Sequence, residues 1–235
     1  MPTFFLISAF LAEVLGTLAG FGSSTLLLPV AVLVFDYRQA LVIVAVFHLF
    51  GNFVRLGLFH TGLDRRLLVR FGLPSLIFSI LGALLVAHIS PALLTRLLGI
   101  ILILYSSLSL YRDSWHLPAS ATATFIGGSL SGFLAGLVGT GGAIRGAFLS
   151  PLRLSKDRYL ATAAAIAIIV DLARTGVYLR QGFFATGFYS QIPLLLILSF
   201  VGTLVGRLLV NRLSLAHFRR FIFLGLLLSG IKFVL

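Results

Sequence analysis

NFVRLGLFHTG at Asn52–Gly62 and DLARTGVYLRQG at Asp171–Gly182 read as two copies of one segment. Asn52 falls opposite Asp171, Arg55 opposite Arg174, Gly57 opposite Gly176 and Phe59 opposite Tyr178, all at one constant spacing that Pro74 and Pro193 also keep. Such a duplication in an apolar chain is the pattern of membrane transporters whose halves rock about a central site.

Composition points the same way. Of 235 residues, 59% are hydrophobic and 10% charged, and the mean hydropathy is +1.12, which leaves too little polar surface for a soluble domain. Apolar runs of about 20 residues, the length that crosses a bilayer core, follow one another from end to end. The chain therefore reads as one polytopic membrane domain over residues 1–235. The opening MPTFFLISAF has no basic stretch before it and Glu13 interrupts the apolar run, so no signal peptide is expected. Cysteine is absent, which excludes disulfides and thiolate metal sites, and no cofactor is implied. The net charge of +12 fits the positive-inside rule and contact with anionic headgroups, and also fits attraction of an anionic substrate. Nucleic-acid binding is not expected, because no basic soluble patch or aromatic platform is present to display it.

Each half holds five apolar segments. Thr3–Ala19, Ser24–Phe35, Gln39–Phe59, Leu67–Ala87 and Pro91–Leu110 make repeat one, about residues 3–110. The polar YRDSWHLPAS at 111–120 is the linker, and Ala121–Val138, Ala143–Leu152, Tyr159–Leu179, Phe183–Val210 and Phe218–Leu235 make repeat two, about 121–235. The expected fold class is an all-α polytopic membrane protein. The second segment of each half has only about 10–12 apolar residues, too few to span without tilt, bilayer thinning or burial in protein. A glycine-rich stretch precedes each: Gly16, Gly20 and Gly22 in one half, Gly132, Gly136, Gly139, Gly141 and Gly142 in the other. Glycine weakens a helix interior by about 1 kcal/mol, and opened backbone survives at membrane depth only within protein or beside an aqueous cavity. Each opening pair is expected to be a broken or re-entrant helical hairpin with its tip near the midplane.

Five crossings, or three if the hairpin counts as none, is an odd number, so the second repeat enters from the opposite side and the repeats are inverted. Arg65, Arg66, Arg70, Arg112, Arg153, Lys156, Arg158, Arg212, Arg219 and Arg220 then share one face, against Arg38, Arg96, Arg180 and Lys232 on the other. Positive-inside logic puts the rich face in the cytoplasm and both termini outside.

A re-entrant tip offers free N–H groups and the positive end of a helix, which together suit a small oxyanion. The candidate substrate-binding residues are Gly22, Ser23 and Ser24 in the first tip, with Thr25 beside them, and Gly139, Thr140, Gly141 and Gly142 in the second. Arg145 comes immediately after, and Arg55 and Arg174 are the matched cations, which inversion directs to opposite sides of the membrane. Structural roles stay open for all of them. The glycines equally suit close helix packing, Arg55 and Arg145 equally suit snorkelling, and Asp171 lies one turn from Arg174, in reach of a structural pair. Glu13, His48 and Asp171 are the remaining ionisable residues within spans and are candidates for proton coupling, although a lone membrane histidine more commonly sits hydrogen-bonded in a polar pocket. Tyr105, Tyr111 and Trp115 read as interface aromatics.

At these residues the chain resembles the TauE/SafE family of sulfite exporters, over nearly its whole length. Gly132-Phe-Leu-Ala-Gly136-Leu-Val-Gly139-Thr-Gly141-Gly142 is similar to the family's G-x-x-G-x-G-G-G pattern. The first copy departs from it, with Ser23 and Ser24 where glycines are typical. Pro29 fits the proline found next in the family, and the second copy has Gly146 near that place. The resemblance implies gradient-driven export of a small sulfur oxyanion, sulfite or an organosulfonate, across the bacterial inner membrane by alternating access, with no built-in ATPase. The partners so implied are the anion and membrane lipid, and a homodimer stays open. Donors at a helix end together with arginines suit a compact oxyanion.

A passive anion channel is the alternative, using the same basic residues without alternating states. An enzyme is not expected: GGSLSG at Gly127–Gly132 lacks the G-x-S-G spacing of an intramembrane serine protease, and no H-E-x-x-H occurs.

Overall fold

The computed structural model describes residues 1–20, 22–111, 120–152, 154–184, 186–210 and 216–235. Arg112, Trp115, Arg153 and Arg212 lie outside them. The described residues form helices and no strand. The first five are α1 Thr3–Ala19, α2 Ser24–Val32 and α3 Tyr37–Phe59, then α4 Arg65–His88 and α5 Pro91–Tyr111. The second five are α6 Ala121–Val138, α7 Gly142–Leu149, α8 Lys156–Arg180, α9 Ile192–Leu209 and α10 Ala216–Val234. Six helices are long and apolar enough to cross a membrane: α3, α4, α5, α6, α8, and α9 with its preceding turn. The chain is a multi-pass membrane protein.

Local chemistry sets the boundaries. Asp36, Asp64 and Ser120 cap α3, α4 and α6 by accepting from the amides of Arg38, Leu67 and Ala123, which satisfies donors that a helix start leaves unpaired. The expected fourth segment of repeat two begins at Phe183, but α9 begins only at Ile192. Gly182 turns the chain at φ 73°, a 3-10 stretch Thr186–Gln191 comes next, and Pro193 then sits in the first turn of α9, where a proline costs no hydrogen bond. Phe183 is apolar because it stacks on Tyr178, ring centroids 6.0 Å apart. Likewise α2 stops at Val32, and Phe35 packs edge-on against Phe5 and Phe188. Within α4 the ladder widens to a π turn over Leu68–Gly72, just before Pro74, which has no amide to offer the carbonyl of Arg70.

α3 and α8 pack on each other at the centre, α1 packs on α9, α4 on α6, and α5 on α10; α4 also touches α8, and α9 touches α3. Exchanging each helix of the first five for its counterpart in the second five returns this same set of pairs. Small residues make the close contacts. A Cβ on Gly128, Gly132 or Gly136 of α6 would strike the carbonyl oxygens of Phe71, Ser75 or Ser79 of α4, and Gly99 of α5 and Gly230 of α10 face each other's backbone. Without a hydrophobic drive between helices in lipid, such backbone approach supplies the association. Leu73, Ile77, Leu104, Ile197, Phe200 and Leu228 remain exposed, as lipid-facing side chains do.

The two ends differ. At one, Arg158 bridges to Asp64 at 2.8 Å, the Asp64 amide donates to Thr162, and the Lys156 ammonium donates to the carbonyl of Val210. Partial burial raises the Asp64 carboxyl, but donation from Leu67 N–H and Arg158 outweighs it and holds the group below the usual carboxylate range. At the other end, Arg38 donates to the carbonyl of Ala87 and lies over the Phe183 ring, and Gln181 donates to that of Leu84. Thus α3 runs from the second end to the first, and α8 runs back.

Candidate functional site: a buried polar layer at two broken helices

Both opening helices of the halves end at a left-handed glycine, Gly20 at φ 76° and Gly139 at φ 81°. Each amide closes the turn on the carbonyl four residues back, Gly16 and Ala135 respectively. The φ is one that only glycine adopts without strain. The chain then restarts as α2, nine residues, and α7, eight residues. The two restarts meet: the hydroxyls of Thr25 and Thr140 are 2.8 Å apart, and α2 touches α7.

Around this junction lies a layer of buried ionisable groups. Glu13 of α1, fully buried, accepts from Arg55 of α3 at 2.6 Å and from Thr203 of α9 at 3.0 Å. Arg55 also donates to Thr17 at 2.9 Å and Asn52 at 2.5 Å. One turn earlier on α3, His48 Nδ1 lies 2.7 Å from Asp171 Oδ2 of α8. The other oxygen of Asp171 accepts from Arg174 Nε at 2.9 Å. Arg174 further donates to the carbonyl of Ala135, and the Tyr178 and Tyr37 hydroxyls donate to those of Gly136 and Val138. These carbonyls form the negative end of α6, which a cation and two hydroxyls therefore complete. Arg145 of α7 is 3% exposed, and its charge reaches Asp171, Tyr159, Arg55 and Arg174.

The matched residues do matched work. Arg55 and Arg174 each hold the residue three positions back, Asn52 or Asp171. Each also reaches the end of the first helix of its own half, through Thr17 or Ala135. Gly57 and Gly176 are matched too, yet a Cβ on either would meet nothing within 4 Å, so packing does not account for that pair.

The structure gathers nearly all the sequence candidates. Ser23, Ser24, Thr25, Thr140, Gly142, Arg145, Arg55, Arg174, Glu13, His48 and Asp171 are all buried. Arg55 and Arg145 do not snorkel. A Cβ on Gly22 would occupy the place of His48 Nε2, so the first tip and the histidine are in contact. Gly132 and Gly136 act in helix packing, as described, and Gly141 packs against the Ser131 carbonyl and Ala135. Tyr111 is exposed, while Tyr105 packs edge-on against Phe223. Thr17, Thr203 and Tyr178 escaped the sequence reading. Thr17 carried a signal, lying one turn from Glu13; Thr203 had none, being distant in the chain.

Several buried atoms have no hydrogen-bond partner among the described residues: Glu13 Oε2, Ser23 Oγ, His48 Nε2 and Arg55 Nε. Buried polar atoms are rarely left so, and these four belong to one layer. Two clefts, of about 300 Å3 beside Leu11, Pro29 and Leu226 and about 390 Å3 beside Leu73, Phe78 and Phe125, are lined by none of the layer's residues, so the layer is closed to them.

Ten helices, apolar outer faces and a cationic layer where two helices break define a multi-pass membrane protein with an ion-handling centre. The Sulfite exporter TauE/SafE family model matches residues 5–233, and the chain belongs to that family. No curated protein matches it.

Proposed function

We propose that the chain is a secondary transporter that exports a small sulfur-containing anion, sulfite or an organosulfonate, across the bacterial inner membrane. The observation that carries this reading is the convergence of three buried arginines, Arg55, Arg145 and Arg174, on two broken-helix restarts whose first amides have no intrahelical acceptor. Gly22, Ser23 and Ser24 contribute from one tip and Gly139, Thr140, Gly141 and Gly142 from the other. Membership of the family favours a sulfur oxyanion.

The halves are inverted repeats, about 3–110 and 121–235, and the broken pairs α1–α2 and α6–α7 are re-entrant hairpins. The exchange-symmetric pairing of helices and the opposed directions of α3 and α8 support this. Such halves have two equivalent packings, each opening the layer to one side, which is the basis of alternating access. The end that carries Arg65, Arg66, Lys156 and Arg158 faces the cytoplasm, and both termini face the periplasm.

Arg145→Gln removes a full charge from the layer while keeping a donor. Calorimetric titration with sulfite is expected to show affinity at least about tenfold weaker, the scale of a charge-assisted hydrogen bond, with the melting temperature little changed. Equal affinity in the variant would remove Arg145 from the site.

A further inference from the structure

We infer that His48 sets the charge of the anion the layer accepts: with the ring neutral it matches a monoanion, and a dianion enters only with a proton taken up on His48 Nε2. This rests on the anion-carrier reading above. The charge inventory of the layer comes first. Of the six acids of the chain, Glu13 and Asp171 are the described ones in the layer; Asp36, Asp64 and Asp157 stand at helix ends, and Asp113 is outside the described residues. Against these two carboxylates stand three guanidinium groups, of Arg55, Arg145 and Arg174. The layer therefore carries one positive charge in excess. One anionic charge neutralises it, and a second would remain uncompensated in a buried site, which is strongly unfavourable.

His48 can supply the missing charge. Its Nδ1 faces a carboxylate oxygen at 2.7 Å, and a carboxylate only accepts, so Nδ1 carries the proton and Nε2 holds the lone pair of the neutral ring. Nε2 has no hydrogen-bond partner among the described residues, the side chain is 3% exposed, and the atom lies against Gly22 at the first tip. A proton there places a new N–H and a full charge at the junction of the two restarts. The charged groups around the ring are Asp171 and Arg174 on α8, Arg145 on α7, Glu13 on α1 and Arg55 on its own helix. α2 has none; Arg207 of α9 is turned onto the Phe59 ring, and Arg96 of α5 is exposed. Glu13 is less suited to the task, because its Oε1 is bound to Arg55 and protonation would break that pair.

Sulfate and methanesulfonate are near-isosteric and keep fixed charges of two and one near neutral pH. Calorimetry of the purified protein in buffers of different ionisation enthalpy, across about pH 6–8, reads the protons taken up with each. The expected result is about one proton per sulfate and clearly fewer per methanesulfonate, with sulfate affinity falling by up to about tenfold for each unit rise in pH. In His48→Gln the uptake with sulfate is lost. Equal uptake with the two anions, or full uptake retained in His48→Gln, overturns the proposal and leaves the carrier reading standing. If the variant does not fold, the two anions compared in the wild-type protein decide alone. If neither anion binds, and sulfite does not either, the carrier reading falls with the proposal.

Discussion

Arg55→Met is expected to destabilise the protein by about 3–5 kcal/mol, the cost of breaking a buried ion pair from one side. Arg55 is 2% exposed and Glu13 fully buried. Removing the guanidinium leaves Glu13 with Thr203 alone, and leaves Asn52 Oδ1 and Thr17 without their donor. Thermal unfolding in detergent would read the loss. The double change Glu13→Gln with Arg55→Met removes the stranded charge and is expected to recover a large part of the stability, because a buried pair exchanged whole for neutral groups costs far less than one broken. Wild-type stability in Arg55→Met would mean that the pair does not hold α1 to α3.

The second large effect is on transport. Gly141 sits where a Cβ would collide with the carbonyl of Ser131 and approach Ala135 Cβ at 2.8 Å. The first collision is with helix backbone, which cannot rotate away. Gly141→Leu must displace the tip from α6, and overpacking of this kind strains a core by about 1–3 kcal/mol. Displacement also separates Thr140 from Thr25 and moves the first amides of α7. Sulfite flux in proteoliposomes is expected to fall to background. Gly176→Leu is the matched control, since a Cβ there meets nothing within 4 Å, and its flux should equal wild type. Normal flux in Gly141→Leu would separate the second tip from transport.

Much of this architecture is legible in the sequence, for a physical reason. Apolar runs punctuated by Gly and Pro mark membrane helices, and the bounds Thr3–Ala19 and Ala121–Val138 coincide with α1 and α6. Glycine clusters at matched places announce the two breaks, because only glycine accepts the φ of Gly20 and Gly139. Hydrophobicity does not separate a spanning residue from an apolar turn residue, which is why Phe35 and Phe183 fall beyond their helices. The site is legible as a set of residues and not as a set of bonds. Asp171 and Arg174 are neighbours on one helix face, whereas Glu13 meets Arg55 and Thr203 only through the packing of α1 on α3 and α9. The roles of Gly132 and Gly136 needed the partner helix, since packing glycines and tip glycines share the same spacing in the chain. The matched positions also diverge in charge, Asn52 against Asp171, so His48 has a carboxylate partner that its own half does not provide.

The central claim is that an oxyanion binds where the two broken helices meet. Selenite is a close analogue of sulfite, and the chain contains no cysteine and a single methionine, so anomalous scattering from selenite-soaked crystals of the native protein locates the anion without ambiguity. One selenium peak bounded by Gly22–Ser24, Gly139–Gly142 and Arg145 is the expected result. A peak confined to the basic helix ends or the cleft beside Pro29 and Leu226, with none between the tips, would contradict it.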